Sequence, residues 1–197
     1  MKKIILVVWL LLPAVALAYH FGPGQKSLER DEAHRLLLEA DQFVSIKNWN
    51  QAVLRYEAAL EALPEDSVEE NRWVRLEMAK AQMLSKQLPE AHKSLALLVE
   101  ELKEDESSDG ELLADARSAH ANSQYYMTWL MRLEGQPEDV WRPEIDAAEQ
   151  TYRLLAQQHV DDGQEAKAET CKQDLEAAIK LARMDLSDLQ GLPLPSQ

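Results

Sequence analysis

The chain has 197 residues, and its formal charge of −14 comes from 35 acidic and 21 basic side chains. That length holds one domain with a real core. So acidic a surface repels phosphate backbones and anionic headgroups, which argues against nucleic acid and membrane surfaces as partners. Six Gly, two Phe and one Cys, set among abundant Ala, Leu, Glu, Gln and Arg, favour helices over sheets and leave no internal disulfide.

The N-terminus reads as an address label. Met1–Lys3 is short and basic, 4–18 is an apolar run broken once by Pro13, and Ala16-Leu17-Ala18 places small residues where a signal peptidase reads. The run is shorter than the ~20 residues of a membrane-spanning helix. The expectation is an exported, periplasmic or secreted product cut after Ala18, with an uncleaved anchor as the alternative. No Cys follows the cut, so no lipid-modified N-terminus is expected. Without Lys2 and Lys3, 19 basic and 35 acidic residues remain, a charge of −16. An irregular leader is expected over 19–30, because Gly22-Pro23-Gly24 does not continue a helix.

From there apolar residues recur at spacings of three and four, which predicts seven helices. Leu36, Ala40 and Phe43 mark 31–47. Ala52, Tyr56, Ala59 and Leu63 mark 50–63. Leu76, Ala79 and Met83 mark 68–85, and Ala91, Leu95, Leu98 and Leu102 mark 89–104. A longer fifth helix is expected at 111–133, a sixth at 143–160 and a seventh at 163–189. Ser67-x-x-Glu70 and Ser108-x-x-Glu111 have the spacing of capping boxes. Pro89 and Pro143 fall where helices are expected to begin. The end, 190–197, reads as an extended tail. Helices joined by short turns pack antiparallel, so the chain is expected to be all-α.

Within this ladder, 33–66 has small Ala40 followed by aromatic Phe43, then Trp49 at the turn, then Ala52, Tyr56, Ala59 and Pro64. That spacing resembles a tetratricopeptide (TPR) repeat unit. A second unit, 72–105, starts 39 residues later and keeps Ala79, Leu88, Ala91, Leu95 and Leu98, but has Gln82 for the aromatic and Lys103 for the proline. A third, 111–160, keeps Ala121, Ala148, Tyr152 and Leu155 and is stretched by a loop at 134–142. The segment 163–189 looks like a polar closing helix. The resemblance implies a right-handed superhelix of about three hairpins with a capping helix.

It also implies a groove lined by the first helix of each hairpin. That face includes His34, Leu37, Asp41, Val44 and Ser45, then Trp73, Leu76, Lys80, Met83 and Leu84, then Ser118, Asn122, Tyr125, Tyr126 and Trp129. Apolar positions there serve equally well as core. The preferred partner-binding positions are therefore Asp41, Val44, Lys80, Met83, Asn122, Tyr125, Tyr126 and Trp129. A clamp for a C-terminal carboxylate is not expected, because the corresponding slots hold Leu37, Asp41 and Glu77, and acidic side chains repel a carboxylate.

Signatures of catalysis are sparse. Asp31-Glu32-Ala33-His34 spells a helicase motif, but no phosphate loop accompanies it, and the acids suit a helix start. The five histidines are scattered, with no H-E-x-x-H, E-x-x-H or C-x-x-C-H, and no G-x-S-x-G occurs. Adjacent acids such as Glu69/Glu70 suit solvated helix caps. Cys171 lies on an apolar face and reads as a small buried residue. No catalytic residue, cofactor or metal is expected. The resulting expectation is a non-catalytic scaffold or adaptor that binds a protein or peptide. The alternatives are a structural or assembly subunit, or a ligand carrier within a bundle.

Overall fold

The computed structural model describes residues 23–105, 107–185 and 188–189. The expectations for the signal segment, its cleavage after Ala18, positions 186–187 of the seventh expected helix and the tail at 190–197 lie outside those residues. Seven helices occur in the described residues, with no strand among them: α1 Pro23–Ser45, α2 Trp49–Ala62, α3 Val68–Leu84, α4 Leu88–Glu104, α5 Gly110–Leu133, α6 Glu138–Asp161 and α7 Glu165–Arg183. Consecutive helices pack as hairpins, α1 on α2, α4 on α5, α5 on α6 and α6 on α7. The all-α expectation therefore holds. No described helix is long and apolar enough to cross a membrane.

Contacts divide the chain into two compact units, with the boundary between Val74 and Arg75 inside α3. In the first unit, Ala33, Leu36 and Ala40 of α1 are buried, as are Ala52, Val53, Tyr56 and Ala59 of α2. Alanine at the crossing lets two backbones approach closely, and the tyrosine fills the space beside it. In the second unit, one core joins Leu76 and Ala79 of α3 to Leu95, Leu98 and Leu102 of α4 and Ala116 and Ala119 of α5. A further core joins Ala121 and Tyr125 of α5, Trp141, Ile145, Ala148 and Tyr152 of α6, and Ala178 and Leu181 of α7. Cys171 is a free, buried thiol beside Ala114, Leu155 and Ala156. Burial, then Asp174, pushes its pKa up, so it stays a protonated, unreactive packing group.

One turn closes four hairpins. Lys47, Lys86, Gly135 and Gly163 all have positive φ, between 57° and 73°. After each, the next N–H reaches back five residues: Asn48 to Phe43, Gln87 to Gln82, Gln136 to Met131 and Gln164 to His159. This Schellman closure satisfies carbonyls that a helix end would leave bare. The first two turns lie 39 residues apart, the same offset that separates the two sequence units.

Four local expectations are corrected. First, α1 starts at Pro23, so the irregular leader does not extend over 23–30. Proline is well placed in a first turn, where its missing N–H has no partner to lose. Second, α6 starts at Glu138 and runs through Pro143, which shortens the loop at 134–142. That extra helix buries Trp141 against the core, with the guanidinium groups of Arg132 and Arg142 over its ring at 4.7 and 4.8 Å. Third, α7 stops at Arg183, not Leu189. Arg132 donates to the carbonyls of Leu181 and Met184, and Arg142 to that of Ala182 at 3.4 Å. These cations complement the negative end of α7. Fourth, neither capping box forms. Ser67 Oγ is buried without a hydrogen bond among the described residues. Ser108 Oγ donates to Leu102 O at 2.8 Å, and Asp109 caps α5 instead, accepting from Glu111 N–H at 2.9 Å.

Candidate functional site

The residues expected to bind a partner divide by environment. On α1, Asp41 is exposed and accepts from the Tyr56 hydroxyl at 3.3 Å, and Val44 is half-buried. On α3, half-buried Lys80 donates to Glu77 one turn back at 2.7 Å, and Met83 packs against the α3–α5 core. On α5, Tyr126 and Trp129 are partly buried against the α5–α7 core. These six keep surface that a partner could touch. Asp41 and Val44 belong to the first unit and the others to the second.

Asn122 and Tyr125 do not. Both are buried, and Asn122 Oδ1 accepts from the Tyr152 hydroxyl at 2.6 Å. The face of α5 that carries them packs into the α5–α7 core. Burial, then Tyr126 and Asp174, raises the Tyr125 phenol to about 12. Burial, then Asp174 and the two other tyrosines, drives Tyr152 higher still. Both phenols therefore remain neutral hydrogen-bond donors, and this part of the expected surface is a polar seam within the core.

A second cluster has the residue types of a catalytic triad. His92 on α4 places Nδ1 3.0 Å from Ser123 Oγ on α5 and Nε2 3.8 Å from Glu144 Oε2 on α6. Gln124 Nε2 steadies the same Glu144 oxygen at 3.1 Å. The His120 ring lies 5.2 Å from that of His92. Burial, then His92, lowers His120 to about 4, with Glu100 opposing, so it is neutral at physiological pH. Nucleophilic attack needs an exposed hydroxyl whose proton the imidazole accepts. Ser123 has no exposed surface, and its proton goes to the His120 carbonyl at 2.7 Å. That leaves Ser123 Oγ accepting from His92 Nδ1–H, so the geometry ties three helices together and activates nothing.

A furrow runs between α6 and α7. Its lining includes Arg153, Leu154, Gln157 and Val160 from α6 and Lys172 and Leu175 from α7. Among the described residues no three His, Cys, Asp or Glu side chains converge as a metal site requires. No family model, curated protein or solved structure matches the chain.

Sequence reasoning missed both the histidine cluster and the furrow. His92 and Ser123 are 31 residues apart, so no local motif marks them. The furrow had a weak signal: Gln150, Arg153, Leu154 and Gln157 share one helical face, with acids only a turn away on either side, at Asp146 and Asp161.

Proposed function

We propose that the chain is a non-catalytic, TPR-like module that binds other proteins in the cell envelope. The observation that carries this reading is the repeated hairpin turn, closed four times in the same way, between helices that leave large apolar side chains in water. Trp73, Leu130, Leu154 and Val160 are all exposed. Hairpins of this kind bury their facing sides and keep their outer faces free for docking. The envelope address follows from the signal-like layout of 1–18. The TPR assignment follows from the spacing of Ala40, Phe43, Ala52, Tyr56, Ala59 and Pro64.

Site-specific photo-crosslinking in living cells tests the reading. A photoreactive residue at Lys80, Tyr126 or Leu154 is expected to give discrete protein adducts in the envelope fraction. The same probe at exposed Glu57 is the control. Adducts at none of these positions would end the protein-binding reading, and a chain retained in the cytoplasm would end the envelope address.

One observation favours a structural subunit as a second reading. Exposed Leu130, Leu133 and Val140 flank the α5–α6 turn, and clustered apolar residues suit a permanent contact. Sedimentation of the mature chain separates the two. A stable oligomer dispersed by Leu133→Asp favours the subunit.

A further inference from the structure

We propose that the furrow between α6 and α7 is a docking slot for a single acidic amphipathic helix of a partner protein. This rests on the protein-binding reading above and narrows it to one surface and one ligand chemistry.

The furrow joins an apolar strip to two basic side chains. Ala156 is buried and Leu175 partly so, while Leu154 and Val160 stand 52% and 47% exposed. Arg153 enters the lining from α6 and Lys172 from α7. Neither makes an ion pair among the described residues. Their neighbours on the same helices do: Arg142 with Glu138, Lys167 with Glu111 and Lys180 with Glu176. Among the described residues no carboxylate lines the furrow, and its other polar groups are the neutral amides of Gln150 and Gln157, the latter donating to Asp161 at its edge at 2.9 Å. In a chain with 35 acids and 21 bases, two unpaired cations beside exposed leucine and valine form a local reversal of charge. Such a reversal attracts and orients a negative partner.

A helix fits better than an extended peptide. The α6 lining runs from Gln150 to Val160, roughly 15 Å or three turns at 1.5 Å per residue. The groove between two packed helices accepts the ridge of a third. An extended segment laid there would press unpaired N–H and C=O groups onto apolar side chains with no sheet edge to receive them. A helix satisfies those groups internally. The partner helix therefore carries apolar residues at i, i+3, i+4 and i+7, flanked by Glu or Asp that meet Arg153 and Lys172.

The test uses the full mature chain and labelled synthetic helices of about four turns, with leucines on one face flanked by glutamates. A counterpart carries lysines in place of the glutamates. Fluorescence anisotropy is expected to show tighter binding of the acidic peptide, weakened by salt, and the methyl NMR signals of Leu154 and Val160 are expected to shift. Reversing both cations, Arg153→Glu with Lys172→Glu, is expected to weaken the acidic peptide about tenfold or more and to admit the lysine counterpart. Leu154→Asp is expected to abolish binding, with an unchanged circular dichroism melt to show that the fold survives. Equal binding of the two peptides, or indifference to the double reversal, overturns the proposal. So does a homodimer dispersed by Leu154→Asp, which would assign the furrow to a second copy. Cellular crosslinks at Lys80 or Tyr126 that ignore the double reversal overturn the slot and leave protein binding standing, whereas the absence of adducts everywhere removes both.

Discussion

Tyr56 in α2 and Tyr152 in α6 hold the same place in their hairpins. Each follows a buried alanine by four residues, Ala52 and Ala148, and precedes another buried residue by three, Ala59 and Leu155. Both rings are buried, yet their hydroxyls end differently. Tyr56 reaches exposed Asp41 at 3.3 Å, and Tyr152 reaches buried Asn122 at 2.6 Å. The repeat position sets the size of the residue, because the helix crossing needs a plug. The surroundings set what its polar end meets, and in the second case α7 adds a third helix to the same core.

The largest effect tests the shared half of that comparison. Tyr56→Ala and Tyr152→Ala should each cost about 3–5 kcal/mol, the range for removing a large buried ring, measured by urea denaturation. A cost below about 1 kcal/mol at either site would show that the two are not equivalent plugs.

Acid should separate the hairpins next. The His120 imidazole titrates near 4 in the folded chain against 6.5 for the free group. Between those values the unfolded chain holds the extra proton, so stability falls as pH drops from about 6.5 toward about 4. The full loss is about 3 kcal/mol, at 1.36 kcal/mol per unit. The second unit should carry this sensitivity, since His120 lies in it, on α5. Stability measured from pH 7 to 4.5 should flatten in His120→Gln, and an unchanged slope would remove His120 as the cause.

A smaller contrast isolates the hydroxyls. Asn122→Ala leaves the Tyr152 hydroxyl without its buried acceptor and should cost about 2 kcal/mol, since an unsatisfied buried donor costs about 1–3 kcal/mol. Asp41→Ala, at an exposed position, should cost less than about 0.5 kcal/mol. Equal costs would mean that α7 does not make the difference.

The same contrast explains what could be read from residue order alone. The small-and-aromatic spacing located Ala40, Ala52, Tyr56 and Ala59, all now buried, because close helix crossings impose that spacing locally. Punctuation was less faithful. Pro143 read as a helix start, but burying Trp141 against the α5–α7 core keeps the chain helical from Glu138. Likewise the seventh helix is expected to run to 189, but α7 ends where Arg132 and Arg142 take its carbonyls. Asn122 and Tyr125, three residues apart on α5, were expected to face a partner, but both are buried. The direction their side of α5 faces depends on α6 and α7, which local spacing does not encode. Arg153 and Lys172 look ordinary in their own helices, and they stand out only when α6 and α7 lie side by side and no acid falls between them.

The finest test concerns the turns. Lys47 closes the first hairpin and Gly163 the last, both with positive φ. A side chain pays about 1 kcal/mol or more in that backbone region, and glycine does not. A Cβ built on Gly163 meets nothing within 4 Å, so steric contact adds nothing and only the backbone term remains. Lys47→Gly should therefore stabilise by about 0.5–1 kcal/mol after glycine's extra unfolded-state entropy is set against the relief. Gly163→Lys should destabilise by a similar amount. Paired thermal melts would show opposite shifts of a few degrees for a chain of this size. Shifts of the same sign would mean that the two closures, alike in hydrogen bonding, differ in strain.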